Sequence, residues 1–214
     1  MDSTDDTDGT ESAERCLALE LAGTVRHDGD GGVADDLSDP QGLTVWLRAR
    51  PELFADVLDT RGFTADRRTL AAVLSVRQAV RALFAHAVSP APPSSADAHR
   101  LISVDEALER INTAARRVPV SPQLAWAADG PPLLRTVAPT TPADGSDALT
   151  AALARAVVDF LTGPRRERLR ACTAPRCVRY FLKGHGRQEF CKPSCGNRAR
   201  AARHYQRHRA PNGS

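Results

Sequence analysis

The chain has 214 residues and a mass of 23.0 kDa, enough for one main domain and a small appendage at roughly 100–200 residues per domain, but not for two large domains. With 42% hydrophobic residues, only 5% aromatics and a moderate, nearly balanced charge of 26%, the composition is that of a folded Ala/Leu/Val core and excludes a disordered chain. No run approaches the ~20 apolar residues of a membrane span, and the acidic start is the opposite of a signal peptide, so a soluble, cytoplasmic protein is expected.

Residues 1–14, with six acids and no apolar run, read as a disordered acidic leader. The short apolar run from Cys16 to Val25 is predicted as a strand, followed by a Gly/Asp-rich loop to Asp39. A short helix over Leu43–Arg50, stopped by Pro51, precedes another turn or two over Glu52–Asp59. A long helix then runs from about Asp66 to Val88, with Leu70, Val73, Leu74, Val80, Phe84 and Val88 at helical spacing, and ends at the proline-rich linker Pro90–Pro93. Ser103 and Glu106 form a capping box for a helix to Arg117, with Ile102 as its staple residue and Ile111 and Ala115 facing the core. Gln123–Ala127 and Leu133–Val137, joined through Asp129 and Gly130, read as a β-hairpin. Ser146 is placed as the cap of a helix carrying Leu149, Leu153, Val157 and Phe160 on one stripe, and Gly163 and Pro164 end it. The body over residues 15–163 is therefore an α+β, helix-dominated unit with a β-hairpin, and residues 164–214 form a separate finger.

Charge divides along the same line. From Arg165 to Arg209 fourteen Lys/Arg face only Glu167 and Glu189, a charge of +12 that leaves −9 for the rest. Such asymmetry suggests a basic module for a polyanion attached to an acidic body. Four of the five cysteines lie in that module, as two close pairs, Cys172 with Cys177 and Cys191 with Cys195, thirteen residues apart. Paired cysteines at this spacing suit one tetrahedral Zn²⁺ held by four thiolates, and a reduced cytoplasm disfavours the alternative of disulfides. Four protein ligands leave no open position for a water, so the zinc is structural. Between the pairs, Val178–Leu182 and Gln188–Cys191 are strand-like around the turn Lys183-Gly-His-Gly, and a helix follows Cys195. Knuckle, hairpin and helix give a C-terminal, treble-clef-like zinc finger with four cysteine ligands.

The residues Cys195-Gly196-Asn197-Arg198, the approach Arg168-Leu-Arg-Ala-Cys172, and His204-Tyr205 in a basic helix resemble the CGNR zinc-finger family, bacterial proteins regarded as transcription regulators. Members carry an N-terminal domain called ABATE, which the body resembles through Thr24-Val25, the Arg-bearing long helix and Ile111-Asn112. Two departures stand out. Lys183-Gly-His-Gly replaces an Asp-Ser-Arg-type turn, and Gly23 stands where an Asn is common.

On a helical wheel, Arg200, Arg203, His204 and Arg207 fall within about 100° of one another, opposite Ala199, Ala201, Ala202 and Tyr205. This predicts a helix packed on its hairpin with a cationic face offered to phosphates and bases, of DNA or of RNA. Asn197, in the turn, and Arg198, bonding hairpin carbonyls, are assigned structural roles. Tyr180 and Phe181 are candidates for base stacking, at least one of them being core, and His204 and His208 stand at i, i+4. Arg77 falls on the core-facing stripe of the long helix, where a guanidinium needs either an internal partner such as Glu20 or Asp159 or an anionic ligand. Cys16 reads as a buried small hydrophobe, and without a nucleophile–base set no enzyme is expected. The combined expectation is a nucleoid-associated, zinc-dependent DNA-binding regulator whose body senses a small anionic effector or mediates assembly, a homodimer being one form of it.

Overall fold

The computed structural model describes residues 16–28, 32–97, 100–137 and 143–209; the leader expected over residues 1–14 and the last five residues of the finger lie outside them. The apolar run predicted as a strand forms helix α1 (Leu17–Ala22). Its sequence, LALELA, holds good helix formers and no β-branched residue, and one turn of helix already buries Ala18, Leu21 and Ala22. The chain then turns into β1 (Val25–His27), which pairs antiparallel with β2 (Val33–Asp35), an element the Gly/Asp-rich composition conceals.

Helix α2 (Pro40–Arg48) begins where Asp39 accepts the Gly42 N–H at 2.7 Å and Pro40 fills the first turn. Pro51 opens the short α3 (Pro51–Phe54). Helix α4 (Arg67–Val88) is the spine of the body. Asp66 caps it, accepting from the Thr69 N–H and hydroxyl at 2.7 Å each, and those two bonds hold the carboxyl below its ordinary range. Helices α5 (Val104–Arg116) and α6 (Gly145–Thr162) pack on α4 and on each other, and α1 lies against α4 and α6. Of the expected capping box only one half forms: Ser103 Oγ accepts the Glu106 N–H at 3.1 Å, while the Glu106 carboxylate accepts from Arg110, one turn on, at 2.6 Å. For α6 the cap is Asp144 instead of Ser146, which is drawn into the first turn and buried. Gly163 closes α6 with its N–H on the Asp159 carbonyl at 3.0 Å, and an added Cβ there would stand 2.8 Å from that same oxygen.

The hairpin β3 (Ser121–Trp126) and β4 (Pro132–Val137) forms on either side of Asp129 and Gly130, and nearly all of it is exposed. After a 3₁₀ turn over Pro164–Arg168, the finger begins with β5 (Leu169–Ala171), paired antiparallel with β6 (Tyr180–Leu182), and ends in α7 (Pro193–Arg209). The finger hairpin thus lies one strand earlier than its sequence suggests. Val178–Leu182 supplies β6, but its partner is Leu169–Ala171 and not Gln188–Cys191. The observed pairing sets Leu169 and Tyr180, 1% and 7% exposed, into the core of the body, whereas the alternative would bring the charge of Glu189 to the hairpin. Phe84 of α4 meets Phe160 of α6 at 5.2 Å and Tyr180 of β6 at 5.4 Å between ring centres, so one aromatic cluster joins body and finger.

Candidate metal centre and nucleic-acid interface

The first cysteine pair is held by a tight turn. Cys177 N–H donates to the Ala174 carbonyl at 2.9 Å, with Pro175 and then Arg176, at φ 63°, in the two central positions. Proline followed by a positive φ is the pattern of a type II turn, and a non-glycine residue in the left-handed region costs about 1 kcal/mol. The turn reverses the chain between Cys172 and Cys177 and so brings their sulfurs to one site. The second pair straddles the start of α7: Cys191 precedes it and Cys195 lies in its first turn, where amide N–H groups favour a thiolate.

All four sulfurs lie within 4.8 Å of one another, with Cys177 to Cys191 at 3.7 Å and Cys191 to Cys195 at 3.5 Å. A tetrahedron with metal–sulfur legs of ~2.3 Å has edges of about 3.8 Å, so the group has the size of a zinc centre with four thiolate ligands. Cys172, Cys177 and Cys195 are buried and Cys191 half-buried. Packed this closely, the sulfurs compete for protons. Hydrogen bonds from Cys177 and Cys191 pull Cys172 down to about 2, while the same contacts push Cys177 up to about 11 and Cys191 higher still. Four thiolates at these distances require a cation, and the four cysteines are able to hold one zinc ion. Among the described residues no other cluster of three or more ligating side chains is present.

Arg198 donates from its terminal nitrogen to Cys195 Sγ at 3.1 Å, and the thiolate raises its pKa. Its partner is thus a cysteine sulfur and not the hairpin carbonyls, because one helical turn separates the two residues. Asn197 lies inside α7, not in a turn before it, and its side-chain oxygen accepts from Arg200. Tyr180 is core. Phe181 packs against the cysteine cluster.

The most deeply held charge among the described residues is one the sequence did not single out. Arg81 of α4 is 5% exposed and donates to Asp97 Oδ1 at 2.7 Å, the Ala22 carbonyl at 2.7 Å, Ser94 Oγ at 3.0 Å and the Val178 carbonyl at 3.1 Å. Tyr180 lies over its guanidinium at 5.3 Å and donates its hydroxyl to Asp97 Oδ2 at 2.8 Å, so burial and the Asp97 charge raise the Tyr180 pKa. Ser94 and Ser95 donate to the carbonyls of Val178 and Cys177 at 2.9 and 3.0 Å. The segment 94–97 and Arg81 together grip the backbone of the zinc knuckle.

Arg77, one turn earlier, has an internal partner, but neither of the two expected. It forms two bonds to Asp35, at 2.5 and 2.7 Å, and one to Thr24 Oγ1 at 3.0 Å. Burial raises the Asp35 carboxyl, yet the Arg77 bond, the Leu37 N–H and the charges of Arg77 and Arg81 outweigh it and lower its pKa. Glu20 pairs with Arg50 instead. Arg77 and Arg81 line an open cavity of about 750 Å³ together with Leu74, Ser95, Asp97 and Leu101.

Beyond the finger, α7 departs from the expected layout. Only Cys195, Gly196 and Ala199 are buried; from Arg200 onward Arg203, His204, Tyr205 and Arg207 are all exposed, Tyr205 by 71%. The helix projects past its hairpin, because β5 and β6 are docked on the body and not beneath it. Arg203 and Arg207 make no hydrogen bond or ion pair with any described residue. His204 and His208 stand with their Nε2 atoms 3.1 Å apart. Among the described residues no helix is long and apolar enough to cross a membrane.

Two family models match the chain. One, described as "Putative stress-induced transcription regulator" and named ABATE, covers residues 16–164. The other, the CGNR zinc finger, covers residues 168–208. No curated protein matches the sequence.

Proposed function

Given that the chain belongs to the ABATE family and carries a CGNR zinc finger behind that domain, we propose that it is a zinc-dependent transcriptional regulator that binds DNA through α7. The observation that carries this reading is the projecting C-terminal helix, whose Arg200, Arg203, His204 and Arg207 are exposed and whose sequence from Cys191 to Arg209 holds no acid. A protein that left those arginines to solvent alone would suffer no obvious penalty from interspersed acids; their absence suits a polyanion. Zinc is the structural element that fixes the start of the helix, with Cys172, Cys177, Cys191 and Cys195 as ligands, and neither family is one of enzymes. Asn197 and Arg198 are assigned to holding the first turns of α7, by restraining Arg200 and the Cys195 thiolate.

The body is assigned the regulatory part. A small anionic effector entering the cavity beside Arg77 would compete with Asp35 for that guanidinium, and the segment 94–97 on the cavity wall would carry the change to the knuckle. Titration of the zinc-loaded full chain with duplex DNA, single-stranded RNA and structured RNA tests the assignment of DNA. Duplex DNA is expected to bind most tightly at equal salt, and preference for either RNA would overturn it.

A further inference from the structure

Among the described residues, the hairpin β3–β4 carries the largest apolar surface the fold leaves uncovered. Opposed residues of an antiparallel pair share a face, so the register Leu124 with Leu134 and Trp126 with Pro132 places Pro122, Leu124, Trp126, Pro132, Leu134 and Thr136 together. Leu124, Trp126 and Leu134 are 75%, 70% and 77% exposed, and no charged side chain lies among the six. The opposite face is smaller and more polar: it sets Leu133 and Val137, 59% and 39% exposed, among Ser121, Gln123 and the one charge of the two strands, Arg135. A two-stranded hairpin is marginal by itself in water, and apolar exposure on this scale marks a surface that another molecule covers.

The segments of the chain outside the described residues contain a single large apolar residue, Met1, and so offer little apolar area to match this face. The other large exposed hydrophobics off the hairpin, Val33, Val45, Leu101, Leu108, Val158 and Tyr205, are scattered singly over six parts of the fold. The best match for the face on this chain is therefore the same face, which is what a two-fold interface demands. We propose that two copies of this chain associate face to face through β3 and β4. Scaled by these exposures, Leu124, Trp126 and Leu134 offer roughly 450 Å² and the whole face roughly 600 Å², which from two copies reaches the lower end, ~1,200 Å² in total, of the standard interface range. Trp126 is the anchor. Its Nε1–H already bonds the Gly130 carbonyl at 3.0 Å, so the indole enters the contact with its orientation set.

Sedimentation equilibrium of the zinc-loaded full chain, over about two decades of loading centred on ~10 µM, tests the proposal against a monomer mass of 23.0 kDa. The expected result is a reversible dimer, with blue-shifted tryptophan emission on association. Leu124→Glu and Leu134→Glu should each raise the dissociation constant by ~30-fold or more, while Arg135→Glu on the opposite face should leave it within about threefold. Helicity and zinc content verify that these exposed substitutions leave the monomer folded. A parent that stays monomeric throughout, as it would if the face served a different protein, overturns the proposal. So does a dimer that survives Leu134→Glu.

Discussion

Replacing Arg81 by methionine should be the most damaging single change outside the cysteines, although Arg81 touches no sulfur. The substitution keeps the length and apolar stem of the side chain but removes four donors, leaving Asp97 as a buried carboxylate with only the Tyr180 hydroxyl and the Ala22 carbonyl with no arginine donor. Both members of the ion pair are nearly sealed, with side chains 6% and 7% exposed. Breaking a pair buried to that degree costs about 3–5 kcal/mol, chiefly the desolvation of the charge left behind. Against a total stability of roughly 5–15 kcal/mol, and about 2–4 °C per kcal/mol for a chain of this length, Tm should fall by about 10 °C. Because the Val178 carbonyl is one of the acceptors, zinc release to a colorimetric chelator should also accelerate. Arg77→Met is the contrast. Its partner Asp35 is 37% exposed, so after solvent screening the loss should be about 1 kcal/mol. The double variant Arg81→Met with Asp97→Leu should recover part of the deficit by removing the stranded charge. Calorimetry that found Arg81→Met within about 1 kcal/mol of the parent, or as mild as Arg77→Met, would refute the account of this hub.

Three further outcomes are expected. Elemental analysis should find one zinc per chain, and Cys195→Ser should lose it; since Leu169 and Tyr180 belong to the shared core, chelation should lower Tm of the whole chain by several degrees, and an unchanged body transition would contradict that coupling. Tyr180→Phe keeps the ring against Phe84 but removes the bond to Asp97, so urea denaturation should show a loss of about 1–2 kcal/mol with zinc stoichiometry retained. The lowered Asp35 pKa means that the native state favours its ionised form, so the stability difference between the parent and Asp35→Asn should be full above the unfolded carboxyl pKa of ~3.9 and fade as pH falls through the lower folded value; a difference that grew with acid would have the wrong sign.

The long periodic elements could be read from the residues themselves. Asp66 and Ser103 sit where caps belong, the apolar spacing of α4 and α6 is unbroken, and the paired cysteines gather as their spacing implies. What escaped depends on partners distant in sequence. Six residues of LALELA cannot announce helix or strand by periodicity, and the neighbours in α4 and α6 decide. β6 could pair with either flanking segment, and the body chose Leu169–Ala171 by burying Leu169 and Tyr180. Arg77 was conspicuous on the apolar stripe of α4, whereas Arg81 lay at its edge. It is buried because the irregular segment 94–97 and the knuckle close over that edge, a contact spanning 97 residues between Arg81 and Val178 with no local signal. The exposure of α7 likewise follows from where the hairpin docks, since a wheel gives the faces of a helix and not its neighbours.

The regulatory account turns on whether the projecting helix neutralises phosphates. The most direct measurement is the affinity of the zinc-loaded full chain for a duplex DNA fragment across a range of salt, for the parent, Arg203→Ala and Arg207→Ala. Both arginines are exposed and free of described partners, so fold, zinc content and melting should not change. The account predicts steep, log-linear weakening with salt in the parent and a slope reduced by about one in each variant. Binding with no salt dependence, or parental slopes in both variants, would contradict it.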